Sequence, residues 1–271
     1  MTPEFIAALP MYDFPPLREA HDRLWSALAA RLVAAGMRGV PTTLTRTLDH
    51  VATWRHPELL LGQACEYPLA KRFAGRVRLV ATPRYSAPGC EGALYRSVIV
   101  VRAADDVREL RDLRGRRCVI NEPESNSGMN LLRAAIAPLA PDGRFFDSVA
   151  VSGSHLASAT AVAAGSADVA AIDCVSFAHL SRMQPELATG LRTLAWTPAS
   201  PCLPWITAAS TDDGTLGLLR TVLVEVAADQ TLAATLSQLL LAGFSPEPDG
   251  SFGEVLRLER MAAAAGYGML A

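Results

Sequence analysis

Two short clusters of small polar residues carry most of the chemistry this sequence offers: Ser125-Asn126-Ser127-Gly128 and Ser152-Gly153-Ser154-His155. Hydroxyls, an amide and an imidazole all donate hydrogen bonds. Where a strand hands over to a helix, they join backbone N–H groups that lack an intrahelical acceptor and the positive end of the helix dipole, which together favour an anion. Each cluster also has a plainer reading, because one serine ahead of a helix is its ordinary N-cap. A cap needs one hydroxyl, whereas the first cluster supplies two, with an Asn and a Gly that lets a ligand approach the backbone. The second adds His155, which can donate to an anionic oxygen whether neutral or charged. The chemistry expected is capture of a small oxyanion.

Three other positions join this set. Asp173 directly follows the apolar run Val169–Ile172. It reads equally as an N-cap for the next helix or as a partner for a cationic or hydroxyl part of the ligand, since a carboxylate repels an anion. Tyr12 and Tyr95 fall at a loop and a strand end, where phenols can close over a ligand with an apolar body and a polar tip. Asp13, Gln63 and Tyr67 lie at similar places with a weaker case.

The elements that must position these residues are legible in outline. Phe5–Leu9 predicts a first strand, and apolar residues from Leu17 to Ala35 keep to one helical face. Strands are expected at 42–47, 58–62 and 77–81, with short helices at 48–54 and 68–73 and a Pro/Gly-rich loop at 83–92. Tyr95–Val101 is the strongest strand signal, being β-branched and continuous. Beyond it strands at 117–120, 148–151, 169–172 and 191–195 alternate with helices at 107–113, 126–139, 155–164 and 175–183. Such alternation means βαβ units and a parallel sheet. After a strand at 205–209, the stretches 216–241 and 254–264 read as helical.

Composition excludes several classes. Of 271 residues half are hydrophobic and 19% charged, and the net charge is −2. That is globular, with no basic patch for nucleic acid, and no apolar run approaches the ~18 residues of a membrane span. There is no Walker A lysine loop, GxGxxG, HExxH or GxSxG, so no cofactor site is expected. Ser154 and His155 are neighbours in sequence, which does not align a hydroxyl with an imidazole as a catalytic triad does. The five cysteines, Cys65, Cys90, Cys118, Cys174 and Cys202, have no CxxC spacing. Zinc or a disulfide framework is therefore not expected, which leaves one bridge, such as Cys65–Cys90, open. Met1–Pro10 has no basic n-region, so the chain as written reads as cytoplasmic, and as periplasmic if a leader was removed.

Taken in order, Tyr95-Arg96-Ser97-Val98-Ile99-Val100-Val101, Leu110–Gly115, Ser125–Gly128, Ser152–His155, Ala161–Gly165 and Ala167–Ile172 form a recognisable set. It resembles the phosphonate/phosphite-type substrate-binding proteins of ABC transporters, the PhnD-like group with the type 2 periplasmic binding fold. The resemblance implies an α/β protein of two lobes, each a mostly parallel sheet flanked by helices. Residues 1–97 and 203–271 would form a discontinuous lobe I, and 98–202 lobe II with the oxyanion site. It further implies that Ser125, Asn126, Ser127, Ser154 and His155 hold phosphonate oxygens between lobes that close like a hinge. Tyr95 matches the family's tyrosine at the lobe crossing, and Tyr12 a first-lobe ligand position. Asn126 stands where threonine or serine is usual. The partners implied are a small anionic ligand and, for an exported chain, an ABC-transporter permease. A cytoplasmic enzyme or a ligand sensor on the same two-lobe fold is the alternative.

Overall fold

The computed structural model describes residues 5–245 and 252–271. The expected features of the extreme N-terminus, residues 1–4, lie outside them. The chain divides into two compact units, Met1–Ser86 with Pro201–Gly250, and Ala87–Ser200 with Ser251–Ala271.

The first unit holds a five-stranded sheet in the order Ile6–Ala8, Leu59–Gln63, Trp205–Ala208, Val77–Tyr85, Leu241–Ser245. Helix Arg18–Ala34 buries Leu24, Trp25, Leu28 and Leu32, the face its spacing predicts. Helix Asp213–Ala228 buries Leu216, Leu219, Val222, Leu223 and Val226, and Asp212 caps it by accepting from Thr215 N–H at 2.9 Å.

Three expectations fail in this unit. Residues 42–47 form no strand. Among the described residues one ladder-like bond is made there, Thr45 N–H to Ala7 O at 2.7 Å, while Arg46 is drawn to Asp13 and Asp22. The helix expected over 216–241 stops at Ala228, where Asp229 accepts from Thr231 N–H at 2.8 Å and starts a new turn. After a short helix Ala233–Gln238, Leu240 takes φ 57° and the chain turns into strand Leu241–Ser245. That strand pairs antiparallel with Val77–Tyr85, which therefore runs on through Pro83 into the expected loop. Pro83 lacks an N–H to donate, and it sits beside the register shift between Leu241 and Gly243 where the ladder is already interrupted.

The second unit carries a five-stranded sheet ordered Ser148–Val151, Arg117–Ile120, Val169–Asp173, Ser97–Arg102, Leu191–Trp196. Its core packs Val98, Val100, Val119, Ile172 and Leu191 from the strands against Ala159, Val162 and Leu180 from the helices. Arg117–Ile120 is parallel to both of its neighbours, whereas Ser97–Arg102 is antiparallel to both of its own. The sheets of both units are thus mixed rather than mostly parallel. Only strands joined by helical crossovers are parallel here, and Ser97–Arg102 is not reached by such a crossover.

Helix 107–113 shrinks to the single turn Leu110–Leu113, closed by a capping box between Glu109 and Asp112. The helix expected over 126–139 is continuous but changes pitch, from a π turn Asn126–Asn130 through α-helix Leu131–Ile136 to a 3-10 turn Ala137–Leu139.

The C-terminal helix Phe252–Ala264 groups with the second unit, not with lobe I where the sequence reading put it. Asn130 Nδ2 donates to Val255 O at 3.2 Å and Arg133 to Gly268 O at 2.9 Å. The N–H groups of Phe145 and Phe146 both reach Ala271 O, at 2.8 and 3.0 Å. These bonds satisfy buried groups of one unit with the chain terminus. The unit boundaries at 86/87 and 200/201 likewise differ from the expected 97/98 and 202/203.

Candidate functional site

Strands Arg117–Ile120 and Ser148–Val151 lie side by side and parallel, so their C-terminal ends open on one sheet edge. Beyond the strands the ladder continues for two bonds, Ser152 N–H to Ile120 O and Gly153 N–H to Asn121 O, both 2.9 Å. The two polar clusters therefore leave the sheet together. Gly153 then turns with φ 88°, a conformation that costs glycine little, and the second helix starts at once.

The first cluster begins with Ser125 as a true N-cap, its Oγ accepting from Gly128 N–H at 3.0 Å. Ser127 is not needed as a cap. Its Oγ lies 2.9 Å from His155 Nε2, the first residue of helix His155–Ala163, and 3.3 Å from Ser125 Oγ. One short contact thus joins the two helix starts. The residue His155 is only part-buried, but its Nδ1 is buried without a hydrogen-bond partner. Burial pulls the imidazole down to about 4, so the ring is neutral at pH 7. A buried N–H left unpaired costs more than a buried lone pair. The ring proton therefore belongs on Nε2, which donates to Ser127 Oγ and leaves the Ser127 hydroxyl proton free to be donated onward.

Asn126 does something else. Fully buried, it donates through Nδ2 to Tyr95 Oη at 3.1 Å and Ser200 Oγ at 2.8 Å, and its Oδ1 accepts from Asn130 Nδ2 at 2.9 Å. Tyr95, also fully buried, is held by that bond. The pair is a polar knot behind the turn. Gly128 is required for space: a Cβ there would collide with the side chain of Asn121.

Of the other expected residues, Ser154 spends its Oγ as the N-cap of its helix, accepting from Ala157 N–H at 3.1 Å. Asp173 likewise accepts from Ser176 N–H at 2.8 Å and is buried at the head of helix Cys174–Met183. Tyr12 belongs to the first unit, where its ring meets Tyr85 edge-on at 5.3 Å. There Tyr85 Oη accepts from Gln63 Nε2 at 2.9 Å. So the structure joins Ser125, Ser127 and His155 in one group and Tyr95 with Asn126 in another, while Ser154 and Asp173 serve as caps.

Three residues that position the site escaped the sequence reading. Asn121 fills the space beside Gly128 with an Oδ1 that is buried and unpaired. Ser97 donates to Ser127 O at 2.9 Å, which pins the turn to the central strand. Ser200 accepts from Asn126. The one available signal was Ser97, a lone hydroxyl at the head of an otherwise β-branched run.

Among the described residues no group of three His, Cys, Asp or Glu is placed to hold a metal ion, and no helix is long and apolar enough to cross a membrane. What the group offers is hydroxyl and backbone N–H donors at two helix starts, a setting for a small oxyanion.

Comparison with known proteins agrees with that chemistry. No curated protein sequence matches the chain. Among solved structures, PhnD1 from Prochlorococcus marinus in complex with methylphosphonate is similar with a TM-score of 0.76 at 14% identity, over 97% of this chain and 99% of that one. A binding protein component of an ABC phosphonate transporter from Pseudomonas aeruginosa gives 0.75 at 17% identity, over 97% and 88%. A Xanthomonas citri protein bound to chloride ion gives 0.73 at 17%, over 96% and 98%. These likenesses establish the type 2 periplasmic binding fold. A family model described as ABC transporter, phosphonate, periplasmic substrate-binding protein matches residues 6–249. This chain belongs to that family of phosphonate-binding substrate-binding proteins.

Proposed function

We propose that the second unit holds the tetrahedral oxyanion of a phosphonate or phosphate at the Ser125–Gly128 turn and the start of helix His155–Ala163. The observation that carries this reading is the 2.9 Å contact between Ser127 Oγ and His155 Nε2, which brings two helix starts to one sheet edge. The Ser127 and Ser125 hydroxyls and the N–H groups of the two first turns supply the donors, and Gly128 lets the turn pack against Asn121. Asn126 and Tyr95 act from behind by holding the turn, and Ser154 and Asp173 by starting their helices. The chain binds and releases its ligand unchanged, as a family of solute-binding proteins does. An ABC-transporter permease is the partner, and the periplasm the compartment, that the family description supports.

Isothermal titration with phosphate, phosphite, methylphosphonate and an aminoalkylphosphonate tests the reading. At least one should bind, and Ser127→Ala should weaken it about tenfold or more by the loss of a charge-assisted hydrogen bond, while His155→Ala should weaken it by releasing the Ser127 hydroxyl that it orients, the protein staying folded in both. No heat from any of them with folded protein, or full affinity in both variants, would refute the assignment.

A further inference from the structure

The second unit also contains a pair of thiols that the anion site does not use. Cys90 and Cys174 are 84 residues apart in the chain, yet their sulfurs lie 3.4 Å apart. Cys174 is buried as the first residue of helix Cys174–Met183, with its N–H on Arg96 O at 3.2 Å and the Asp173 cap just ahead of it. Cys90 sits part-exposed on a turn closed by its own N–H to Ala87 O at 3.0 Å. Gly89 packs against the Trp196 ring so closely that a Cβ there would strike it, which seats that turn on strand Leu191–Trp196. Two fixed stretches of backbone therefore present the sulfurs to each other.

We propose that Cys90 and Cys174 form an intrachain disulfide when the folded protein meets a disulfide oxidant. A disulfide bond is about 2.05 Å long, so the sulfurs, 3.4 Å apart, must approach by roughly 1.4 Å. Among the described residues no group of three His, Cys, Asp or Glu that could hold a metal ion includes this pair. The Cys65–Cys90 bridge left open by the sequence is not formed, and Cys118 and Cys202 are not in a disulfide either.

The chemistry is two successive thiol–disulfide exchanges. Cys90, the accessible thiol, gives up its proton and attacks one sulfur of the oxidant's disulfide. A mixed disulfide forms, the oxidant's own S–S bond breaks, and its other sulfur leaves as a thiolate that takes up a proton. Cys174 then gives up its proton and attacks Cys90 Sγ, expelling the second oxidant sulfur as a thiol. Two cysteine thiols are oxidised by two electrons, and one oxidant disulfide is reduced to two thiols. In the dithiol, contact with Cys90, then burial and Asp173, hold the Cys174 thiol well above its ordinary value; burial and Asp173 persist in the mixed disulfide and slow the second exchange. A periplasmic setting, which rests on the family reading, would supply such an oxidant.

The test uses the full chain with oxidised glutathione, and no ligand, so its failure leaves the anion-site reading untouched. Intact mass should fall by about 2 Da, two hydrogens. Peptide mapping should join Cys90 to Cys174. Titratable thiols should drop by two from the five cysteines of the chain. The thermal midpoint should rise by roughly 5–10 °C and return with reductant. Cys90→Ser should abolish these changes and Cys65→Ser should leave them intact. Five persistent thiols, glutathione retained on Cys90 without ring closure, or a bridge to another cysteine would overturn the proposal.

Discussion

A neutral His155 makes the second unit sensitive to mild acid, and the size of the effect follows from its surroundings. Burial lowers the imidazole from 6.5 to about 4. Between those values the unfolded chain binds a proton that the folded one refuses, so stability rises with pH across the window. The contribution is complete above about 6.5, is lost as pH falls toward 4, and is constant below. Each unit of difference is worth about 1.36 kcal/mol, which makes the loss between pH 7 and pH 5 about 2 kcal/mol. That figure is a ceiling, because His155 is only part-buried and water at the ring edge screens its charge. His155→Gln keeps a donor of similar length for Ser127 and cannot titrate. Urea unfolding at pH 7 and pH 5 should show the parent protein losing about 1–2 kcal/mol more than this variant. His21, also lowered by burial, titrates in both proteins and cancels in the difference. A proton NMR titration of the ring supplies the direct check. Equal acid losses in the two proteins, or a ring that titrates near 6.5, would refute the argument.

Two further outcomes follow from the packing behind the site. Gly128→Ala forces a Cβ against Asn121, which should cost about 1–3 kcal/mol in urea unfolding. Most of that should return in the Gly128→Ala/Asn121→Ala double variant, since the two positions share one space. Asn126→Ala removes the hydrogen bonds to Tyr95, Ser200 and Asn130, which should cost about 2–4 kcal/mol at the ordinary worth of such bonds. If Asn126 instead touched the ligand alone, the same variant would lose affinity at unchanged stability, as calorimetry and unfolding measured side by side would show.

Elements whose signal is local are legible in the chain alone. Strands at 117–120 and 148–151 and the helix from His155 were read to within a residue, because β-branched runs and a Ser-capped, alanine-rich stretch need only their own neighbours to declare themselves. The adjacency of Ser125–Gly128 and Ser152–His155 was also legible, since parallel strands joined by a helix deliver both loops to one edge. Pairing was not. Whether Ser97–Arg102 runs parallel or antiparallel, and whether 241–245 continues a helix or joins a sheet, depends on partners 68 to 98 residues away in one case and on Leu240 turning the chain in the other.

The division of labour within the polar clusters was decided by tertiary structure as well. Ser125, Ser154 and Asp173 accept from their own first turns, so their capping role is local. The resemblance places Asn126 among the oxyanion ligands, and the structure shows its amide bonded to Tyr95, Ser200 and Asn130. Ser127 and His155 are joined by a contact across 28 residues, and Cys90 and Cys174 by one across 84. Sequence pattern names the groups that can donate or react. Only the fold brings them within bonding distance, because that depends on which backbones are fixed beside one another.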